Sequence, residues 1–345
     1  MSRYVEAHKV VNLRGAGDAR PTALQVIEDE GLTGKLHDKV FLVTGVSSGI
    51  GIETLRALHT TGAHVFGTVR SLTKGQNVVD TILSEAHPSG GEITLIEMSL
   101  DGLASVRSGA AEFLEKSNNK LHLLVANAGI MATPYEKTKD GFESQFGTNH
   151  LAHFLLFQLL KPALLASATP EYPSRVVNVT STGHQFGPPL FGDYNFSSTP
   201  YDPWRAYGQS KTASIWLANS IESHFGSQNL HATSVHPGLI TSSNLGTHLP
   251  EEQQKMFYEP EVQRTAKSVE QGAATQVWAA VGKEWKGKGG RYLSNMAEPV
   301  SNEEKAKEDG MSFMANDGYM PWAYDLEGAE RLWKESFVLV RLKEE

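Results

Sequence analysis

Tyr207 and Lys211 stand four residues apart in the run Trp204 to Phe225, which reads as a helix, so both side chains project from one face. A phenol with a pKa near 10 is a poor base at neutral pH, but a close ammonium favours the phenolate. Bringing that pKa to about 7 takes about 4 kcal/mol, at about 1.36 kcal/mol per unit. A partly desolvated cation a few ångströms away supplies much of this. Such a tyrosine could protonate a forming alkoxide or deprotonate an alcohol. By itself the pair says little, because exposed helices carry many like it. Two further residues give it company. Ser181 follows the apolar run Arg175 to Val179, and Asn149 falls inside a long helical pattern, about Phe142 to Leu165, where a buried amide needs a reason.

A second constellation points to binding. Thr44-Gly45-Val46-Ser47-Ser48-Gly49-Ile50-Gly51 joins the apolar run Lys39 to Val43 to a helical pattern. A phosphate at such a junction accepts hydrogen bonds from helix N-terminal amides and meets the positive end of the helix dipole. The glycines let backbone approach it without a Cβ in the way. Gly45, Ser47, Ser48, Gly49, Ile50 and Gly51 are therefore candidate cofactor-binding residues, the alternative being a purely structural turn. An acidic residue about 20 positions on would bind a ribose 2′-hydroxyl. None lies between Phe66 and Val79; Arg70 closes the second strand-like run instead, with Lys74 nearby. That favours NADP(H) over NAD(H), against the alternative of a solvated surface cation. Asp101, after the third run, is placed either at an adenine edge or as the cap of the next helix.

The elements that must hold these residues form an alternating series. His64 to Val69, Ile93 to Met98, Leu121 to Ala126, Arg175 to Val179 and Leu230 to Val235 join the first run as strands, with helical patterns between them. Near-continuous apolar strands alternating with helices imply a parallel sheet covered on both faces, doubly wound, with ligands at the carboxyl ends of its strands. We therefore expect an α/β Rossmann-type single domain over residues 38–295. An N-terminal extension (1–37) precedes it, and a C-terminal extension (296–345) packs near the substrate pocket.

In order and spacing, Thr44 to Gly51, Asn127-Ala128-Gly129, Asn149, Ser181, Tyr207, Lys211 and His236-Pro237-Gly238 resemble the short-chain dehydrogenase/reductase family. The resemblance runs from about Asp38 to Asn295. It implies a catalytic tetrad of Asn149, Ser181, Tyr207 and Lys211. Tyr207 would transfer the proton, Ser181 hydrogen-bond the substrate oxygen, Lys211 hold the nicotinamide ribose and lower the Tyr207 pKa, and Asn149 anchor a water. It also implies that Asn127, Ala128 and Gly129 border the cofactor, and that Pro237, Gly238, Ile240 and Thr241 border the nicotinamide carboxamide. GTNHLAHFLL and the long loop before Tyr207 look most like the retinol-dehydrogenase and WW-domain-oxidoreductase branch. PTALQVIEDEGL and GYMPWAYD look like its fungal members. No anchor like that of the membrane-bound retinol enzymes is expected from this sequence, which argues against retinoid substrates.

Composition narrows the remaining choices. The formal charge of −8, with no basic stripe, argues against a nucleic-acid partner. The most apolar stretch, Leu151 to Ala166, is interrupted by His153, Gln158 and Lys161, so no membrane span is expected, and the N-terminus is not a secretory signal. The absence of cysteine excludes disulfides and thiolate metal sites and fits a cytoplasmic setting. His150 and His153 have no further ligands near them in sequence, and no metal site is expected. His184 and His236 lie close in sequence to the catalytic elements without a partner that defines a role. Phe186, Leu190, Phe191, Tyr201, Trp204, Met256 and Phe257 suggest a hydrophobic carbonyl or alcohol substrate, and the fungal resemblance implies a role in secondary metabolism. An epimerase, isomerase or dehydratase on the same fold, and a non-catalytic NADP(H)-binding sensor, stay open beside the oxidoreductase, as does a homo-oligomer.

Overall fold

The computed structural model describes residues 2–85, 87, 89–309 and 316–344. Seven parallel strands form one sheet in the order β3-β2-β1-β4-β5-β6-β7. They are β1 Val40–Thr44, β2 His64–Val69, β3 Ile93–Glu97, β4 Leu123–Ala126, β5 Ser174–Val179, β6 Leu230–His236 and β7 Arg291–Ser294. The principal helices are α1 Ala23–Asp29, α2 Ile50–His59, α3 Leu72–Ser84, α4 Leu103–Lys116, α5 Ala152–Ser167, α6 Pro203–Phe225, α7 Ala274–Val281 and α8 Leu326–Leu339.

Alternation along the strands sorts the helices into two layers. Leu42, Phe66, Leu124 and Val176 face a core shared with Phe113 of α4, Phe154 and Phe157 of α5, Trp216 of α6 and Trp333 of α8. Phe41, Val43, Val65, Val125 and Val177 face the other core, with Ile27 of α1, Leu55 of α2, Ile82 of α3 and Val277 of α7. Strand order reverses between β1 and β4, and both run in the same direction, so the crevice at their carboxyl ends is the place where such a sheet receives a ligand. Among the described residues no helix is long and apolar enough to cross a membrane, and no three His, Cys, Asp or Glu side chains gather as a metal would require.

Three features differ from the sequence reading. β7 escaped it, being four residues long with an exposed Arg291 after Gly289-Gly290; it is recognisable only through its pairing with β6. No helix is expected in the N-terminal extension, residues 1–37, which is polar and weakly periodic, yet α1 forms there, capped by the Thr22 side chain and burying Ala23, Val26 and Ile27. The long helix expected over about Phe142 to Leu165 is interrupted. A short turn at Ser144–Phe146 leads into a π-helical turn, Gly147–Leu151, in which the Ala152 amide reaches back to the Gly147 carbonyl, and only then does α5 begin. Of the tail, residues 310–315 lie outside the described residues. From Asn316 it forms a strap with a tight turn at Pro321–Tyr324, and α8 follows on the core.

Candidate active site

The glycine turn is built from both sides. Gly45 (φ +75°) lies so close to Ala128 that a Cβ would stand 2.7 Å from the alanine's own, and a Cβ on Gly51 would stand 2.2 Å from the Gly45 carbonyl oxygen. These glycines let α2 pack down on the turn. Gly49 (φ +60°) caps α2, and a Cβ there would meet no protein atom within 4 Å. Beside Ser47 and Ser48, both exposed, this is an open cradle at the head of a helix, the environment a pyrophosphate needs. Asn127 closes it from β4, its Nδ2 donating to the Thr44 carbonyl at 2.9 Å. Arg70 is exposed at the end of β2, and Asp101 is half exposed, 4.0 Å from Lys139. Asp101 does not cap α4, since the Leu103 amide donates instead to Asp140 at 2.7 Å.

Asn149, Ser181, Tyr207 and Lys211 arrive from the π turn, the end of β5 and α6. A Cβ on Gly129 would lie 3.0 Å from Asn149 Oδ1 and 3.3 Å from Lys211 Nζ, so this glycine is the gap through which the two approach. The Asn149 amide clamps the chain after β4, accepting from the Ile130 N–H at 2.9 Å and donating to the Ile130 carbonyl at 2.9 Å and to Ser210 at 2.9 Å. Lys211 Nζ donates to the Val179 carbonyl at 3.1 Å and stands 5.6 Å from the Tyr207 ring centre. The Tyr207 ring and Ser181 Oγ flank Gly183, where a Cβ would lie 2.4 Å from the ring and 3.4 Å from the hydroxyl, and that Oγ accepts from the Gly183 amide at 3.0 Å. All four side chains thus converge at the carboxyl ends of β4 and β5.

Electrostatics of the chain's own groups reverse one expectation. Burial pushes the Tyr207 phenol up to about 12, with the neighbouring Ser181 hydroxyl pulling the other way, whereas the spacing of Lys211 predicts a lowered value. Burial also lowers the Lys211 ammonium to about 8. The ammonium is spent on a backbone carbonyl and stands 5.6 Å from the ring centre, so desolvation outweighs it. These surroundings favour the neutral phenol, the form that donates a proton.

The short chain dehydrogenase family model matches residues 39–254. This chain belongs to the short-chain dehydrogenase/reductase family. It is 44% identical to oxidoreductase calI of Penicillium decumbens, with 100% of this chain and 99% of that protein aligned. It is 35% identical to the human WW domain-containing oxidoreductase over 85% of this chain and 69% of that one. A solved structure from Mycobacterium paratuberculosis is 27% identical and superposes with a TM-score of 0.65 over 97% of this chain and 98% of its own. The fungal and WW-domain-oxidoreductase likenesses expected from the sequence are both present.

Within this dehydrogenase scaffold, Ile240 and Ile50 both close on Gly272, where a Cβ would lie 2.7 Å from Ile240 Cγ1 and 2.8 Å from Ile50 Cγ2. Pro237, Gly238 and Thr241 are half-buried on the same loop, and Lys267, itself buried, donates to the Pro237 carbonyl at 3.1 Å. His153, set aside as a metal ligand, has a structural task. Thr44 Oγ1 accepts from the Asn127 and Ala128 amides, so its own proton goes to His153 Nε2 at 3.0 Å, and His153 Nδ1–H donates to the Asn149 carbonyl at 3.0 Å. One imidazole ties the glycine turn to the π turn. Its spacing of four from Asn149 was the available signal. Gly183 was missed too; a Cβ there would lie 2.4 Å from the Tyr207 ring. Of the expected aromatic wall, Phe186 packs on Trp204 (5.5 Å) and Trp204 on Tyr207 (6.2 Å). Phe191 turns instead to Trp216 and lies under the Arg331 guanidinium.

Proposed function

We propose that the chain is an NADP(H)-dependent oxidoreductase that interconverts an apolar ketone or aldehyde and its alcohol. The observation that carries this is the gathering of Ser181 and Tyr207 around Gly183, with the Lys211 ammonium 5.6 Å from the phenol ring centre, at the carboxyl ends of the strands beside the glycine turn. A bound nicotinamide supplies or accepts the hydride. Gly45 to Gly51 and Asn127 to Gly129 would hold its dinucleotide, with Arg70 toward a 2′-phosphate. Ser181 holds the substrate oxygen, and the neutral Tyr207 phenol donates its proton to that oxygen as charge develops there. The half-buried Phe186–Trp204 pair beside Tyr207 supports an apolar substrate.

Tyr207→Phe tests this reading. It removes one hydroxyl and keeps the ring, so fold and NADPH affinity persist while turnover drops by about 10²–10⁴. Near-parental turnover in that variant, with a ketone the parent reduces, overturns the mechanism. Turnover that reports epimerisation or dehydration without net cofactor oxidation would move the assignment to that class.

A further inference from the structure

We infer that His184 is a positioning residue through which the C-terminal strap, residues 316–324, sets the placement of Ser181. The inference rests on the oxidoreductase reading above, in which Ser181 meets the substrate oxygen.

Ser181 opens a tight turn, Thr182–Phe186, with extended backbone and its own carbonyl aimed at the His184 ring. His184 Nδ1 lies 2.7 Å from that carbonyl, and the Met320 amide donates to Nε2 at 3.2 Å. An amide donor on Nε2 requires Nε2 to be the unprotonated nitrogen, so Nδ1 carries the proton and donates it to Ser181. The ring is fully buried, so no solvent can substitute for either partner. The strap grips the same turn twice more. Trp322 Nε1 donates to the His184 carbonyl at 3.0 Å, and Gln185 Nε2 donates to the Asn316 and Gly318 carbonyls at 3.0 and 3.1 Å.

The strap is itself anchored at a distance from the turn. Trp216 and Asn219 of α6 donate to the Trp322 and Ala323 carbonyls at 2.8 and 2.9 Å, and Ser294 of β7 donates to Asp317 at 2.7 Å. A continuous set of hydrogen bonds therefore runs from α6 and β7, through the strap and one imidazole, to the backbone of Ser181. A short loop bearing a reacting hydroxyl needs this, because a displacement of about 1 Å can cost on the order of 10²-fold in rate.

The test is a double-mutant cycle with NADPH and phenanthrenequinone as probe. His184→Phe keeps an aromatic ring but loses both ring bonds, and kcat is expected to fall at least about tenfold with the NADPH dissociation constant within about twofold of the parent. His184→Asn, which retains a donor near the Nδ1 position, is expected to recover most of that loss. In the Ser181→Ala background, His184→Phe is expected to cost less than about twofold, because residues acting as one unit are not additive. An equal loss in both backgrounds, or no loss in the parent, overturns the inference. Hydrogen exchange is an arm independent of turnover and of the His184 variants: in Trp322→Phe, the amides of residues 183–187 are expected to exchange faster while β5 and α6 do not change. Unchanged protection of that turn overturns the inference as well. Failure of the reading beneath it looks different: the parent does not turn over the probe, or Ser181→Ala is as active as the parent, while the exchange result stands.

Discussion

Gly183→Ala should disable the site without disturbing the fold around it. A Cβ at this position would stand 2.4 Å from Tyr207 Cε1 and 2.6 Å from Cδ1, and 3.4 Å from Ser181 Oγ. Carbon atoms in contact sit about 3.5–4.0 Å apart, so ring and turn must separate by roughly 1 Å. There is little room for it. Tyr207 is 4% exposed, lies in the unbroken buried run Ala206 to Ile221, and has Trp204 against its edge. Gly183 is not among the glycines at positive φ, so alanine meets no backbone penalty and the steric contact acts alone. Overpacking of this kind costs about 1–3 kcal/mol of stability. A phenol displaced by about 1 Å costs about 10² in turnover, or about 2.7 kcal/mol of barrier at 1.36 kcal/mol per decade. The new contacts fall on Tyr207 and Ser181 and on no residue of the glycine turn, so NADPH binding should persist. The assay is steady-state NADPH oxidation with a reducible ketone, beside the NADPH dissociation constant and a thermal melt. Parental turnover at a parental melting temperature would refute the placement of the Tyr207 ring against this turn.

Three further perturbations probe the cofactor cradle and the core. Gly49→Val places a branched side chain where φ is +60° and no protein atom stands within 4 Å, so the melt should report a backbone cost of about 1–2 kcal/mol while NADPH affinity falls much further; unchanged affinity would remove the dinucleotide from this cradle. Arg70→Asp should erase or reverse a preference for NADPH over NADH worth about 1–3 kcal/mol, and equal dissociation constants in the parent would sink the assignment. The buried His150 and His153 are held by desolvation at about 3 and about 4, against 6.5 for an ordinary histidine. The unfolded chain therefore takes up protons that the folded chain refuses, and stability falls as pH drops from about 6.5 toward about 4, by about 1.4 kcal/mol per unit for each group. His150→Phe, between Phe146 and Phe154, should lose less melting temperature than the parent between pH 7 and pH 5; an identical acid slope would refute the burial argument.

Much of this arrangement is readable before any coordinates, because it depends on short spacings and on period. The apolar runs at His64 to Val69 and Leu230 to Val235 are strands whatever lies beside them, and Tyr207 and Lys211 share a face because a helix repeats every 3.6 residues. Asp202 before Pro203 announces the start of α6 in the same local way. The glycine turn is legible for a related reason: φ values of +75° at Gly45 and +60° at Gly49 demand glycine at those positions.

What tertiary structure alone decides is burial and partnership between distant segments. Nothing near Tyr207 in sequence says that its ring will be fully enclosed, so the direction of its pKa shift could not be read from the spacing of Lys211. The tautomers of His153 and His184 depend on Thr44, 109 residues before the first, and on Met320, 136 residues beyond the second. β7 exists because β6 pairs with it, and Phe191 faces Arg331 rather than the crevice because α8 folds back over α6. Sequence by itself determined the alternating scaffold, the glycine turn and the shared helical face of Tyr207 and Lys211, since each is encoded by residues close together in the chain. The fold determined how those side chains are charged, oriented and held, because desolvation and long-range hydrogen bonds are properties of packed neighbours and not of order along the chain.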